Sequence, residues 1–317
     1  MGAGAPSVPG PGRVSSRTGR ALWIAACLAP ALVLFTGVIA YPVLSAMAYS
    51  LFRWDGIVRG GFAGAANFQR LLTQYPYSMR MVTAFWHNVW TFALTMLVQN
   101  GLGLLFAVLL AGRTWGARAY RAIFFLPVTL SLVIVGFLWQ LFLNPVWGPV
   151  NKLLALAGLS GLARPWLGDS QTALTALILV NAWRWVGFPT IVFLAGIQAI
   201  PEEYVDAARL DGAGPGAVFR RIVLPLLAPQ VNVIVILTFI GAFNWFELPY
   251  VMQGVTGEPS HTTDVLGLLF YRSAFGGVDT GNPDVGLGSA IAVVMFAVIL
   301  ATSGLGAVYL RRREIEG

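Results

Sequence analysis

The sequence predicts an all-α integral membrane protein with six transmembrane helices, and three observations carry that prediction. Hydrophobic residues make up 57% of the 317-residue chain and charged residues only 10%, where a soluble domain carries about a quarter. Six long apolar runs recur along the chain, each able to cross a hydrocarbon core about 30 Å thick. Almost every charge falls between those runs, with Arg184 and Glu247 as the two intramembrane exceptions.

Residues 1–20, rich in Gly, Pro and Ser and carrying Arg13, Arg17 and Arg20, read as a disordered tail. The next 32 residues, 21–52, are uncharged, too long for a signal-peptide core. They give a first span at about 21–50, with Pro30 and Pro42 as kink sites. A polar loop with Arg53, Asp55, Arg59, Asn67-Phe68 and Arg70 precedes the second span, 82–111, which His87, Asn88, Gln99 and Asn100 dilute. The third, 122–143, ends at Asn144-Pro145, and a short helix is expected near 150–156. The fourth, 172–200, is interrupted by Arg184, and the fifth, 226–252, contains Glu247. A Gly-rich loop with Glu258, Asp264, Arg272, Asp279 and Asp284 leads to the sixth, 285–310, which Arg311, Arg312 and Arg313 stop in a basic C-terminus, 311–317.

Six spans place both termini on one side. Lys and Arg then number three each in the tail, 113–121, 209–221 and 311–313, against seven in the three opposite segments. By the positive-inside rule both termini are cytoplasmic, in the inner membrane.

Between the fourth and fifth spans lies 201–225, PEEYVDAARLDGAGPGAVFRRIVLP, with seven charged residues. A segment so polar between two spans sits in water at a membrane face. It reads as two short helices joined by a sharp turn. Pro201 suits a first helical position, and Glu202 and Glu203 favour the positive end of the helix dipole. Ala207 and Ala208 offer a face that another surface can approach closely. Gly212 and Gly214 permit the reversal, and Pro215 starts the second helix.

This loop resembles the cytoplasmic EAA loop of permease subunits in binding-protein-dependent ABC importers, whose pattern is E-A-A, three residues, G, nine residues, I-x-L-P. Here it reads Asp206-Ala207-Ala208, then Gly212, then Ile222-Val223-Leu224-Pro225, with Asp206 in place of the usual Glu. Further likenesses to carbohydrate-type permeases lie in Arg121 to Pro127, in Trp183 to Phe188 and in Leu194 to Pro201. Asn67-Phe68 fits the maltose and glycerol-3-phosphate subunits. The family's T-x-G-G-P is matched only loosely, by Gln253 to Pro259. The resemblance implies a type I ABC importer fold and a second six-span permease as partner. It also implies two ABC ATPase subunits and an extracytoplasmic solute-binding protein. Glu203, Asp206, Ala207, Ala208, Asp211, Gly212, Ile222, Leu224 and Pro225 are then the ATPase-coupling loop. A sugar or related polyol is the implied solute, with glycerol phosphate or another small polar solute as the alternative.

Composition excludes other classes. The one lysine, Lys152, lies in Asn-Lys-Leu, so no Walker A loop exists to hold phosphates. ATP and Mg are therefore expected on a separate ATPase, with no cofactor on this chain. Cys27 stands alone, against a disulfide framework or cysteine metal site. Two histidines, His87 and His261, and no H-E-x-x-H leave no metal site and little for a membrane enzyme, the remaining alternative alongside an ATPase-independent transporter. Ser289 reads as a small packing residue. The arginines are scattered through the loops rather than forming a stripe, which argues for membrane lipid and against nucleic acid.

The expected substrate path follows from the intramembrane charges, which are costly in lipid and face a cavity or one another. At 1.5 Å per helical residue, Arg184 lies about 24 Å and Glu247 about 31 Å from the inner face. Both fall in the outer half, where they pair, line a polar cavity together or snorkel to the headgroups. Asn181, Asn244, Trp245 and Tyr250 fall near the same level. Their amides and rings suit a sugar, although Trp and Tyr also form interfacial belts.

Overall fold

In the computed structural model the described residues are 17–112, 116–276 and 281–315. Most of the tail expected at 1–20 thus lies outside them, as do residues 316 and 317 at the C-terminus. From Arg17 the backbone is already helical, so the first helix takes in residues 17–20 of that segment.

The first span forms a unit of its own within residues 1–48. It comprises α1 (Arg17–Phe35), a π turn (Thr36–Ala40) and α2 (Tyr41–Tyr49). The widened turn stands beside Pro42, whose ring nitrogen has no hydrogen to donate to the helix.

The second unit holds everything else. A small hairpin, β1 (Phe52–Asp55) and β2 (Val58–Phe62), is the exception to an otherwise all-α fold. It leads to α3 (Ala66–Thr73), on which buried Asn67 donates to the carbonyls of Ser50 and Phe52 at 2.9 and 2.8 Å. The second span runs unbroken through α4 (Tyr77–Thr95), a π turn (Met96–Asn100) and α5 (Gly101–Ala111).

The runs expected as the third, fourth and fifth spans are each bent. The third is α6 (Ala117–Thr129) and α7 (Leu132–Phe142), bent by 97°. After α8 (Pro149–Leu156), close to the short helix expected there, the fourth span is α9 (Ala173–Trp185) and α10 (Gly187–Gln198), bent by 46°. The bend of the fourth span packs on the middle of α6 at Gly187, where a Cβ would strike the Phe124 carbonyl oxygen and come within 2.9 Å of the Phe125 Cα. Only glycine lets these backbones touch.

The polar loop forms α11 (Glu202–Leu210), then α12 (Pro215–Val218), a π turn (Phe219–Val223) and α13 (Leu224–Leu226). Pro201 is the N-cap of α11 rather than its first residue, and Gly212 takes φ +81° in the turn, a conformation glycine adopts freely. The chain then bends by 66° into α14 (Ala228–Phe243). Residues 244–246 interrupt the fifth span before α15 (Glu247–Gln253). Within the supposed Gly-rich loop, 266–275 is in fact a largely buried helix, α16 (Leu266–Phe275). The last helix, α17 (Val285–Ile315), carries on through the basic end instead of stopping at it.

Three apolar clusters hold the second unit together. Leu177, Ile178, Leu248 and Leu268 join α9, α15 and α16. Leu71, Phe243, Leu266, Leu287 and Ile291 join α3, α14, α16 and α17. Ala107, Leu110, Phe193 and Ile234 join α5, α10 and α14. Among the described residues three helices are long and apolar enough to cross a membrane, and up to six spans result if each bent pair is one.

Candidate functional site

The break in the fifth span creates the site. Helix α14 ends at Phe243 and α15 restarts at Glu247, so Asn244, Trp245 and Phe246 leave the helical register. They close one side of a cavity of about 580 Å³. Its other walls are Asn181, Arg184, Trp185 and Phe188 from the bent fourth span, Leu132 from α7, and Ile234, Leu237 and Thr238 from α14. Thr91, Thr95, Gln99 and Asn100 complete it from the second span.

Of the six residues expected on the path, the structure brings five together: Asn181, Arg184, Asn244, Trp245 and Glu247. Tyr250 is the exception. It belongs to an aromatic group with Phe246 and Tyr271, at centroid distances of 5.2 and 5.5 Å, and does not line the cavity. Trp185 and Trp245 line the cavity, whereas Trp183 packs edge-on to Trp139.

Arg184 and Glu247 share the cavity without forming an ion pair. The Arg184 Nη2 instead donates to the Leu130 carbonyl at 3.3 Å, at the C-terminal end of α6, where carbonyl groups left free by the helix make a negative pole. Neither residue sits as far along a straight helix as 1.5 Å per residue suggests. A 46° bend separates Arg184 from the C-terminal end of its span, and Glu247 opens a separate helix after a 66° bend and a break.

Sequence reasoning missed the four second-span residues as site members, although Gln99 and Asn100 stood out as polar. Their signal is spacing: 91, 95 and 99 recur every four residues and share one helix face. Asn100 donates to the Thr238 hydroxyl at 2.9 Å, and Gln99 donates to Asn100 Oδ1 at 3.3 Å. Thr95 Oγ1, Gln99 Oε1, Arg184 Nε and Trp245 Nε1 are buried without a hydrogen-bond partner.

A second feature was hidden in the supposed loop. Arg272 and Asp264 are 0% and 2% exposed and form a bidentate pair at 2.6 and 3.3 Å. Arg272 also reaches the Val255 carbonyl at 3.0 Å, and His87 Nδ1 meets the Asp264 carbonyl at 2.6 Å. Burial pushes the Asp264 carboxyl above the usual carboxylate range, while the hydrogen bonds and charge of Arg272 draw it back. Beside this pair, fully buried Asn88 donates to the Ala242 carbonyl at 2.6 Å and accepts from the Leu266 N–H at 2.9 Å. It ties the last turn of α14, just before the break, to the start of α16.

The 201–225 loop is built differently. Glu203, Asp206, Ala207, Asp211 and Gly212 are exposed, Ala208 and Ile222 half-buried, and Leu224 and Pro225 exposed. Asp206 holds Arg209 one turn away at 3.3 Å, both more than 60% exposed, a pairing worth little to stability. Tyr204 and Leu210, which the sequence reading did not single out, present 57% and 89% of their surfaces.

Residues 99–315 match the family described as binding-protein-dependent transport system inner membrane component. The chain belongs to this family. The permease is 35% identical to a probable ABC transporter permease protein of Bacillus subtilis over 280 residues, 87% of this chain and 91% of the relative. It is 33% identical to the trehalose/maltose transport system permease protein MalF of Thermococcus litoralis, over 86% of this chain and 88% of that one. Its fold matches a chain of a bacterial alginate ABC transporter, solved in complex with an alginate pentasaccharide-bound periplasmic protein. There the TM-score is 0.79 at 22% identity, over 95% of this chain and 98% of the other.

Proposed function

We propose that this chain is the permease subunit of an ATP-driven ABC importer for a sugar or related polyol. With a second permease it forms the translocation path, and an extracytoplasmic binding protein delivers the solute. The carrying observation is the cavity. A space of about 580 Å³ in a membrane protein, whose largely apolar walls carry two charges and four unpartnered polar atoms, has no structural purpose and serves a polar solute. Relatives named for trehalose and maltose favour a saccharide.

In this reading the 201–225 loop faces the cytoplasm, as do both termini of a multi-pass inner-membrane protein. Helix α11 docks into a groove of a separate ATPase, with Ala207 allowing close approach and Leu210 and Tyr204 entering the groove. ATP and Mg bind on that subunit. Closure of two such ATPases draws two loops together and tilts the attached spans, and access alternates by rigid-body rocking about the cavity. Broken helices that absorb the movement at 130–131, 186, 227 and 244–246 suit such rocking.

The test is affinity purification of the tagged chain from its native membrane in mild detergent, followed by mass spectrometry. A Walker-A protein and a second permease are expected, with the ATPase lost when Ala207 and Ala208 are both replaced by Phe. A chain that purifies alone in several detergents overturns the reading.

A further inference from the structure

Residues 144–168, which join the third and fourth spans, expose apolar side chains where a loop in water shows polar ones. Val146, Leu153 and Leu156 present 83%, 64% and 84% of their surfaces, and Trp147, Leu159 and Leu162 about half of theirs. Helix α8 is apolar on two sides. Val150 and Leu154, one turn apart, are half-buried, Val150 against the cluster that joins α9, α15 and α16. Leu153 and Leu156, three residues apart on another face, point out of the fold.

Hydrogen bonds hold this segment in place. Asn144 Oδ1 accepts from the N–H groups of Val146 and Trp147 at 3.0 and 3.2 Å. Asn151 donates to the carbonyls of Pro145 and Arg164 at 3.3 and 3.0 Å and accepts from Trp166 Nε1 at 2.7 Å. The segment also satisfies its own backbone. The N–H groups of Lys152, Ala157, Gly158, Leu159, Leu162 and Ala163 all donate to carbonyls between Gly148 and Ser160. Lipid offers no partner to a free N–H, so this is what a segment placed there needs.

Two features favour lipid over a protein partner. Lys152 and Arg164 are the only charges within 144–168, both positive and both exposed. Leucines with a tryptophan and nearby cations are the composition of a helix lying in a membrane interface, where the cations meet headgroup phosphates. The second feature is continuity. Val133, Ile134, Phe137 and Phe142 form an exposed apolar face on α7, itself half of a span, and Val146 and Trp147 carry that exposure on into the segment. Resting on the six-span permease reading, we infer that residues 146–162 lie in the outer leaflet as an interfacial anchor, with Lys152 and Arg164 at the phospholipid headgroups. Through Val150, Trp166 and Leu167, which pack on the same cluster, the anchor holds α9 and α15 at a fixed level in the membrane.

The first measurement takes the full chain in nanodiscs of phosphatidylcholine and phosphatidylglycerol in equal parts, with Cys27→Ser removing its single cysteine. A nitroxide is attached at Leu153→Cys or Leu156→Cys and, as an aqueous control, at Glu258→Cys on an exposed loop of the same face. Power-saturation EPR compares relaxation by oxygen, which concentrates in lipid, with relaxation by a water-soluble nickel chelate. Oxygen is expected to act severalfold more strongly than nickel at 153 and 156, and the order to reverse at 258. All three side chains are exposed, and an unchanged thermal transition shows that each variant has folded. Nickel access at 153 and 156 equal to that at 258 overturns the inference. The second measurement places the photo-crosslinker p-benzoylphenylalanine at Leu156 in native membranes. A phospholipid adduct is expected, whereas an adduct chiefly to protein overturns the inference and makes the surface a subunit contact. Neither overturning result touches the permease reading, which stands or falls on recovery of the ATPase.

Discussion

The cavity and the 201–225 loop put polar residues to opposite uses. In the loop, charges and small residues lie within 25 consecutive positions, mostly exposed, with a single local ion pair between side chains. In the cavity, residues from the second, third, fourth and fifth spans meet, and hydrogen bonds between distant segments fix them and the helices beside them: Asn100 to Thr238, Arg184 to Leu130, Asn88 to Ala242 and Leu266. A motif that meets its partner from outside is written contiguously in the chain. A cavity inside a fold is assembled from whatever the packing brings round. Single substitutions should therefore damage the two regions in different currencies, stability around the cavity and coupling in the loop.

The largest effect is expected from Asp264→Ala, which leaves the Arg272 guanidinium buried without its carboxylate. Breaking one side of such a pair costs about 3–5 kcal/mol. Thermal unfolding of the detergent-solubilised chain should show a large drop, or no folded protein should be recovered; an unchanged transition would mean that the pair does not hold the loop to α16. Asn88→Ala comes next. It deprives the Ala242 carbonyl and the Leu266 N–H of their partner, at about 1–3 kcal/mol for each group. The break at 244–246 should loosen, and sugar uptake should fall with stability.

Gly187→Val forces a side chain against the Phe124 carbonyl, and overpacking of this kind costs about 1–3 kcal/mol. The fourth span should part from α6, seen as faster proteolysis at 129–131. Moving to the loop, Gly212→Val strains a left-handed residue by about 1–2 kcal/mol, with nothing within 4 Å of the new Cβ. The spans should unfold at the native temperature while transport is lost; wild-type uptake would count heavily against a docking role. Smallest in stability is Leu210→Ser, within about 0.5 kcal/mol, yet ATPase co-purification should drop sharply. If Leu210→Ser destabilises the chain as Asn88→Ala does, the contrast between the two regions fails.

How far each region could be read from the chain follows from the same contrast. The turn at Gly212, the two short helices and the small-residue face of the loop all follow from neighbours in sequence. So do the positions of the apolar runs. Arg184 and Glu247 were visible as charges in apolar surroundings, and both do line the cavity. Thr91 and Thr95 were not, because a threonine in an apolar run is ordinary until the neighbouring helices enclose a cavity against its face. Tyr250 shared the right stretch but not the cavity, since three residues beyond Glu247 on a restarted helix α15 turn it toward Phe246 and Tyr271. Asp264 and Arg272 looked like loop charges because the run around them is short. Helix α16 is ten residues long, too brief for hydropathy to mark as buried.

By itself, then, the sequence determined that this chain lives in a membrane, where its apolar runs begin and end, and which polar segment stands outside them. These depend on transfer between water and lipid, a property each stretch carries alone. Only the tertiary structure decided the 97°, 46° and 66° bends, the break at 244–246, and the pairing of Arg272 with Asp264. Hydropathy says how deeply a segment is buried, not which way each side chain faces or which backbone approaches it. Those are fixed by contacts between residues as far apart as Asn88 and Leu266, which no local pattern encodes.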